Sequence, residues 1–161
     1  MPDIILIAHN IRSTHNIGAI FRTAEGFGVS KIIISGYSPY PKTTNDTRLP
    51  HIAEKLHTQI HKTALGAEEL VLFEYQIEPN ITALRDVGYR IVGLEQTAGS
   101  ILLPEYKAPE KLALVLGEEV NGIPEKLLSQ CEDVIEIPMR GQKESFNVSV
   151  ATGIALYRLY F

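Results

Sequence analysis

Cysteine is nearly absent from this 161-residue sequence, with Cys131 standing alone between Gln130 and Glu132. One thiol can close no intrachain disulfide and build no thiolate metal cluster, so the chain suits a reducing compartment. No apolar run approaches the roughly 18 residues that span a bilayer. Met1-Pro2-Asp3 also lacks the basic start of a secretory signal, so no membrane is involved and a cytoplasmic location is the expectation. Metal-ligand spacing is missing as well, because His9, His15, His51, His57 and His61 are not set among further ligands. His57 and His61 are spaced to share a helix face but lack carboxylate support, so no metal is expected. The histidines read as facing solvent or RNA.

A general excess of positive charge is also lacking, since the net charge is −4. That argues against an indiscriminate nucleic-acid binder. The charge is unevenly placed, however: residues 1–66 hold seven Lys/Arg against four Asp/Glu and all five histidines. A local basic face is therefore open to this chain.

What is there is a series of short β-branched runs: Ile4–Ala8, Lys31–Ser35, Leu70–Tyr75, Arg90–Leu94, Leu112–Leu116 and Val134–Ile137. Such runs read as buried strands. Helical spacing lies between them, as in Ile17–Phe27 and Ile81–Val87, and Pro124 suits the first turn of a short helix through Leu128. Phe146–Phe161 reads as a packed, largely apolar last helix whose Tyr157 and Tyr160 suit an interface. The alternation predicts one α/β domain over residues 1–161, a mostly parallel sheet flanked by helices. Between Gly36 and Pro50, three prolines, two tyrosines, Lys42 and Arg48 lie without periodicity. This is a long loop whose aromatic and cationic residues suit base stacking and phosphate contact.

Three segments carry polar chemistry. In the first, His15–Ala24, Asn16 reads as a helix N-cap, Gly18 leaves the first turn unobstructed, and Arg22 is a guanidinium on a largely apolar helix. In the second, Leu114–Ile123, a strand runs into a loop with Glu118 and Glu119 between Gly117 and Gly122, at a strand C-terminus where parallel sheets bind ligands. In the third, Ile137–Ala151, Ser145, Asn147 and Ser149 decorate the entry to the last helix. They can satisfy its free N–H groups or bond a ligand. The glycine fingerprint of a dinucleotide-binding fold is missing after the first strand.

Taken together, N-x-G-x-x-x-R in Asn16–Arg22, L-G-E-E-x-x-G in Leu116–Gly122 and I-P-M-x-G…S-x-N-V-S-V-A in Ile137–Ala151 strongly resemble the SpoU family. These are the TrmH-like ribose methyltransferases of the SPOUT superfamily, and the resemblance runs from Ile4 to about Leu159. It implies a deep C-terminal trefoil knot, a homodimer, and S-adenosylmethionine held in a pocket of Leu94, Glu95, Gly117, Ile137, Met139 and Phe146, mainly through backbone groups. Asn16, Arg22, Glu119, Ser145 and Asn147 match the family's functional positions. The sequence departs from the family by placing Glu118-Glu119-Val120 where many relatives have Asn-Glu-Gly, so Glu119 is assigned by register. It also has Phe146 for the commoner leucine and Phe161 where some relatives carry an arginine.

The implied activity is methylation of a ribose 2′-hydroxyl in a structured RNA. Arginine stays protonated in proteins, so Arg22 reads as a clamp on the RNA phosphate and on developing alkoxide charge, oriented by Asn16. Without an N-terminal extension of the sort that helps some relatives select ribosomal RNA, transfer RNA is favoured over ribosomal RNA. Two other readings are a base methyltransferase from another SPOUT branch and a non-catalytic RNA-binding or assembly protein.

Overall fold

A computed structural model describes residues 1–161. Seven strands run β1 (Asp3–His9), β2 (Lys31–Ser35), β3 (Phe73–Gln76), β4 (Arg90–Leu94), β5 (Ile101–Leu102), β6 (Lys111–Leu116) and β7 (Asp133–Glu136). They form one sheet in the order β3-β2-β1-β6-β4-β7-β5, with every pairing parallel. Five helices cover it: α1 (Thr14–Phe27), α2 (Pro50–Ala64), α3 (Ile81–Asp86), α4 (Glu125–Leu128) and α5 (Val148–Tyr160).

Alternation along each strand divides the core into two layers. Ile4, Leu6 and Ala8 of β1 join Ile17, Ile20, Phe21, Leu156 and Leu159 beneath α1, α2 and α5. Ile5 and Ile7 point the other way, to Ile81, Leu84, Ile123 and Leu127 beneath α3 and α4. Strands buried on both faces must be apolar throughout. This is why the runs in β1, β2, β4 and β6 were readable.

The third strand begins later than expected. Ala67–Glu69 form a single 3₁₀ turn, and Leu70 and Leu72 are each 72% exposed. Strand β5 was not foreseen, since two residues carry no periodicity. Nor was α2 foreseen as a helix, because it buries only Ala53, Ile60 and Ala64.

Two readings at the start of α1 are corrected. Ser13, not Asn16, is the N-cap, its hydroxyl accepting from the Asn16 N–H at 3.1 Å. Asn16 therefore lies inside the first turn with its side chain free for other work. Gly18 leaves no open turn either. A Cβ there would stand 2.0 Å from Thr63 Oγ1 and 2.3 Å from the Ile60 carbonyl. Its smallness lets α2 pack directly against α1, where Thr63 also donates to the His15 carbonyl at 2.8 Å.

The long loop is an ordered structure. Arg48 forks onto both oxygens of Asp46 (2.9 and 2.6 Å), donates to the carbonyls of Tyr40 and Pro41, and lies 3.6 Å over the Tyr40 ring. Tyr40 in turn stacks on Tyr75. Arg48 is therefore spent on holding the loop. Lys42 is paired with Glu54 at 3.0 Å. His9 is likewise a structural tie, bonded to Ser35 at 2.8 Å, and burial lowers its pKa so that it stays neutral.

Candidate functional site

The C-terminal ends of β4, β6 and β7 open onto a cavity of about 470 Å³. All six residues expected to hold the cofactor line it: Leu94, Glu95, Gly117, Ile137, Met139 and Phe146. Glu119 and Ser145 line it too, while Arg22, Asn16 and Asn147 do not. Sequence reasoning missed Gln96, Thr97, Val148 and Ala151 in the same wall. Gln96 and Thr97 directly follow Leu94-Glu95, and that adjacency was the available signal. Gln96 donates to the Glu144 carbonyl at 2.7 Å, tying the loop after β4 to the loop before α5.

Glycine shapes the floor of the cavity. The loop after β6 folds back on itself, Gly122 N–H donating to Glu118 O at 2.9 Å. A Cβ on Gly117 would lie 2.4 Å from the Gly122 carbonyl carbon and the Ile123 nitrogen. Gly117 is thus needed for the loop to close, ahead of any contact with a ligand. Gly122 has φ +68°, and a Cβ there would meet Glu95 Oε2 at 1.9 Å. That carboxylate accepts the Ile123 and Gln96 N–H groups at 2.9 Å each, clamping the loop against β4.

The charge on the wall is one-sided. Glu95, Glu118, Glu119, Glu136 and Glu144 line the cavity, with no lysine or arginine among its residues. A site with this lining favours a cationic ligand and repels the phosphates of RNA.

Above the cavity, three of the expected functional residues meet. Asn147 caps α5, its Oδ1 accepting the Ser149 N–H at 2.9 Å and the Ser149 hydroxyl at 2.6 Å. Its Nδ2 donates to Asn16 Oδ1 at 3.1 Å, and Asn16 Nδ2 donates to Glu119 Oε1 at 2.6 Å. The neighbouring Glu118 turns away, buried, accepting from the Asn121 N–H at 3.0 Å with Arg12 Nε 3.7 Å off. The two glutamates therefore have separate partners. Ser145 stands exposed at the cavity mouth with its hydroxyl unbonded within the chain.

Arg22 is not oriented by Asn16, whose amide is taken up by Glu119 and Asn147. It lies on the exposed side of α1 and makes no hydrogen bond or ion pair within the chain.

The carboxylates absent from the sequence neighbourhood of His57 and His61 are supplied by the turn after α2. Ligand atoms of His57, Glu68 and Glu69 lie within 4.8 Å of one another. The donor chemistry, however, opposes a metal. His57 Nδ1 accepts the Lys42 N–H at 3.1 Å, which leaves the ring proton on Nε2, 3.4 Å from Glu69. A metal on Nε2 would need that proton removed with no donor left on Nδ1. Glu68 is occupied by His61 and the Gly66 N–H.

Comparison with known proteins agrees with this geometry. The chain is 32% identical over 160 residues to the 23S rRNA (guanosine-2′-O-)-methyltransferase RlmB of Coxiella burnetii, covering 98% of this chain and 58% of that protein. It superposes on the A. aeolicus TrmH/SpoU tRNA modifying enzyme with a TM-score of 0.80 at 27% identity, covering 98% of this chain and 74% of that one. A structure described as an AdoMet bound rRNA methyltransferase from Sinorhizobium meliloti matches with a TM-score of 0.80 at 23% identity, over 97% of this chain and 55% of that one. The chain thus spans little more than half the length of the Coxiella relative. The model of the SpoU rRNA Methylase family matches residues 3–157, and the chain belongs to that family.

Proposed function

We propose that this protein binds S-adenosylmethionine in the acidic cavity and methylates a ribose 2′-hydroxyl of a structured RNA as a homodimer. The observation that carries the reading is the cavity wall, with five carboxylates, no cation and the apolar side chains of Leu94, Ile137, Met139 and Phe146 around it. The cofactor's sulfonium and ammonium suit the carboxylates, and its adenine suits the apolar side. When bound, it supplies a methyl group on positively charged sulfur. The trefoil passage of the C-terminal segment belongs to the same reading.

The chain's own groups then position the acceptor. The amide bridge from Asn147 through Asn16 to Glu119 fixes the rim of the cavity, so reacting atoms meet at a set distance. Ser145 offers a free hydroxyl at the mouth. Arg22 holds the RNA phosphate and stabilises charge developing on the 2′-oxygen, while the proton leaves to water or phosphate. In this reading Arg22, which is exposed on α1 and bonded to no residue at its own chain's cavity rim, serves the cavity of a partner protomer. Val150, Ile154, Tyr157 and Phe161 support such a dimer. They form an exposed apolar stripe along α5, which packs beside α1.

Transfer RNA and ribosomal RNA both stand as acceptors. The Coxiella relative is named for 23S rRNA and the A. aeolicus neighbour for tRNA modification, which removes the preference for transfer RNA. The experiment is calorimetry with S-adenosylmethionine, followed by mass spectrometry of nucleosides from both RNAs after incubation with enzyme and cofactor. A 2′-O-methylated nucleoside is expected. Base methylation would point to the other branch of the superfamily, and cofactor-free RNA binding without product would leave an assembly protein.

A further inference from the structure

A second cavity, of about 690 Å³, lies beside the first and carries the opposite character. Its wall holds Arg12, Arg48, Tyr37, Tyr40, Tyr75 and Gln59, and no aspartate or glutamate. The two cavities meet at the Arg12–Glu118 pair, since Arg12 lines one and Glu118 the other. A volume in this range accommodates a small ligand.

The turn beside this cavity has two left-handed backbone positions. Asn10 and Gly36, at the ends of β1 and β2, both have positive φ (57° and 67°). A Cβ on Gly36 would stand 1.9 Å from Asn10 Oδ1, and that oxygen accepts the Tyr37 N–H at 3.1 Å. Ser38 completes the tie, accepting the Ile11 N–H at 2.8 Å and donating to the Ala8 carbonyl at 3.1 Å. The result is an aromatic ring fixed at the surface, 51% exposed, with the Arg12 guanidinium 4.9 Å from its centre. The Asn10 carboxamide thus holds the turn that presents Tyr37.

Arg48 is already neutralised by Asp46, so Arg12 is the cation this cavity offers a ligand. Its contact with Glu118 is long and its side chain is 71% exposed, which leaves the charge weakly matched. A planar aromatic face beside an available guanidinium, with Gln59 in the same wall, suits a base and its phosphate. We propose that the second cavity receives an unstacked nucleotide of the RNA substrate, its base stacked at Tyr37 and Arg12 and its phosphate held by Arg12. The nucleotide is thereby anchored next to the cavity where transfer takes place. The assignment rests on the RNA methyltransferase reading above.

The test combines kinetics with cross-linking. Tyr37→Ala and Arg12→Ala, checked for parent-like thermal unfolding, are assayed with total tRNA and total rRNA as methyl acceptors. Loss of one base-stacking side chain weakens single-strand binding on the order of tenfold. Each variant should therefore raise KM for RNA about tenfold or more, with the loss in KM rather than kcat and with S-adenosylmethionine affinity kept. Tyr37→Phe should restore KM. In parallel, RNA from cells fed 4-thiouridine is irradiated with the parent protein, and adducts are expected at Tyr37 or its neighbours in this cavity. Methylation at parent KM by both alanine variants, or adducts confined to other surfaces, overturns the subsite while leaving the methyltransferase reading intact. If no RNA is methylated but adducts map here, the subsite stands and the catalytic reading falls.

Discussion

Asn147 and Asn16, 131 positions apart in the chain, share a hydrogen bond whose direction is fixed by the helix that Asn147 caps. Because Asn147 Oδ1 is committed to the α5 N-terminus, its Nδ2 must point at Asn16 Oδ1, and Asn16 Nδ2 must point at Glu119. Asn147→Asp separates capping from bridging. Aspartate caps as well as asparagine does, so α5 should lose no more than about 0.5 kcal/mol. It has no donor for Asn16, however, and whichever way that amide turns, one carboxylate faces its oxygen. Thermal unfolding should stay close to the parent while methyl transfer falls more than tenfold. Parent-level turnover would show the bridge to be dispensable.

Gly117→Ala places a methyl group against the Gly122 backbone at 2.4 Å. The loop must open, and with it the cavity floor. Calorimetry should show at least tenfold weaker binding of S-adenosylmethionine, with a smaller change in the unfolding midpoint. Unchanged affinity would mean the loop can close another way.

Arg22→Ala removes a side chain without intrachain partners, so folding and cofactor affinity should hold while turnover drops by ~10²-fold or more. Lysine should rescue poorly, because it lacks the bidentate fork. Co-expressing Arg22→Ala with Gly117→Ala tests which protomer supplies the guanidinium. A mixed dimer that regains activity has Arg22 serving its partner's cavity, and one that stays dead has it serving its own.

The stripe on α5 predicts the oligomeric state. Light scattering at micromolar concentration should report a dimer, with an interface on the order of 1,600 Å² or more. Ile154→Glu and Tyr157→Glu together should yield a folded monomer with little activity. A parent protein that is already monomeric would remove the dimer from the account.

Acid should unfold the protein through specific carboxylates. Hydrogen bonds from Arg90 hold Asp133 below its ordinary range, and those from Arg48 do the same for Asp46. A carboxyl whose pKa is lower folded than unfolded stabilises fully above the unfolded value, near 4, and loses that contribution as pH falls through the folded one. The midpoint of thermal unfolding should therefore fall steeply below pH 4, after a shallower decline that begins near pH 6.5, where buried His9 resists the proton its unfolded form takes up. Asp133→Asn should blunt the fall, and a variant with an unchanged profile would assign the acid sensitivity elsewhere.

The central strands were legible because burial on both faces leaves runs of apolar residues through the middles of β1, β2, β4 and β6. Where burial is thin the signal fades, as in α2 with its three buried residues. Asn16 was misread as a cap because Ser13, three positions earlier, is an equally good cap and the sequence does not rank them. Glu119 is distinguished from Glu118 only by what each faces in space. The first cavity was traceable through the second and third motifs, whose residues line it, while the first motif reaches it only through the Asn16 bonds to Glu119 and Asn147. Of the second cavity the tyrosine-bearing loop after β2 was legible, but the place of Arg12 was not, because Arg12 and Tyr37 become neighbours only through the β1–β2 pairing.

The strand order β3-β2-β1-β6-β4-β7-β5 places β6 between β1 and β4, so the middle of the sheet closes only after β6 is made. Pairings over such sequence separation form slowly, since loop closure precedes any gain from contact. The cavity depends further on residues up to Ala151, and its rim on the capped start of the last helix. A growing chain thus has Asn16 in place from the first helix but gains its partner Asn147 only with α5. The cavity is therefore completed only when the segment through Ala151 has been added, long after β1 and α1 are made.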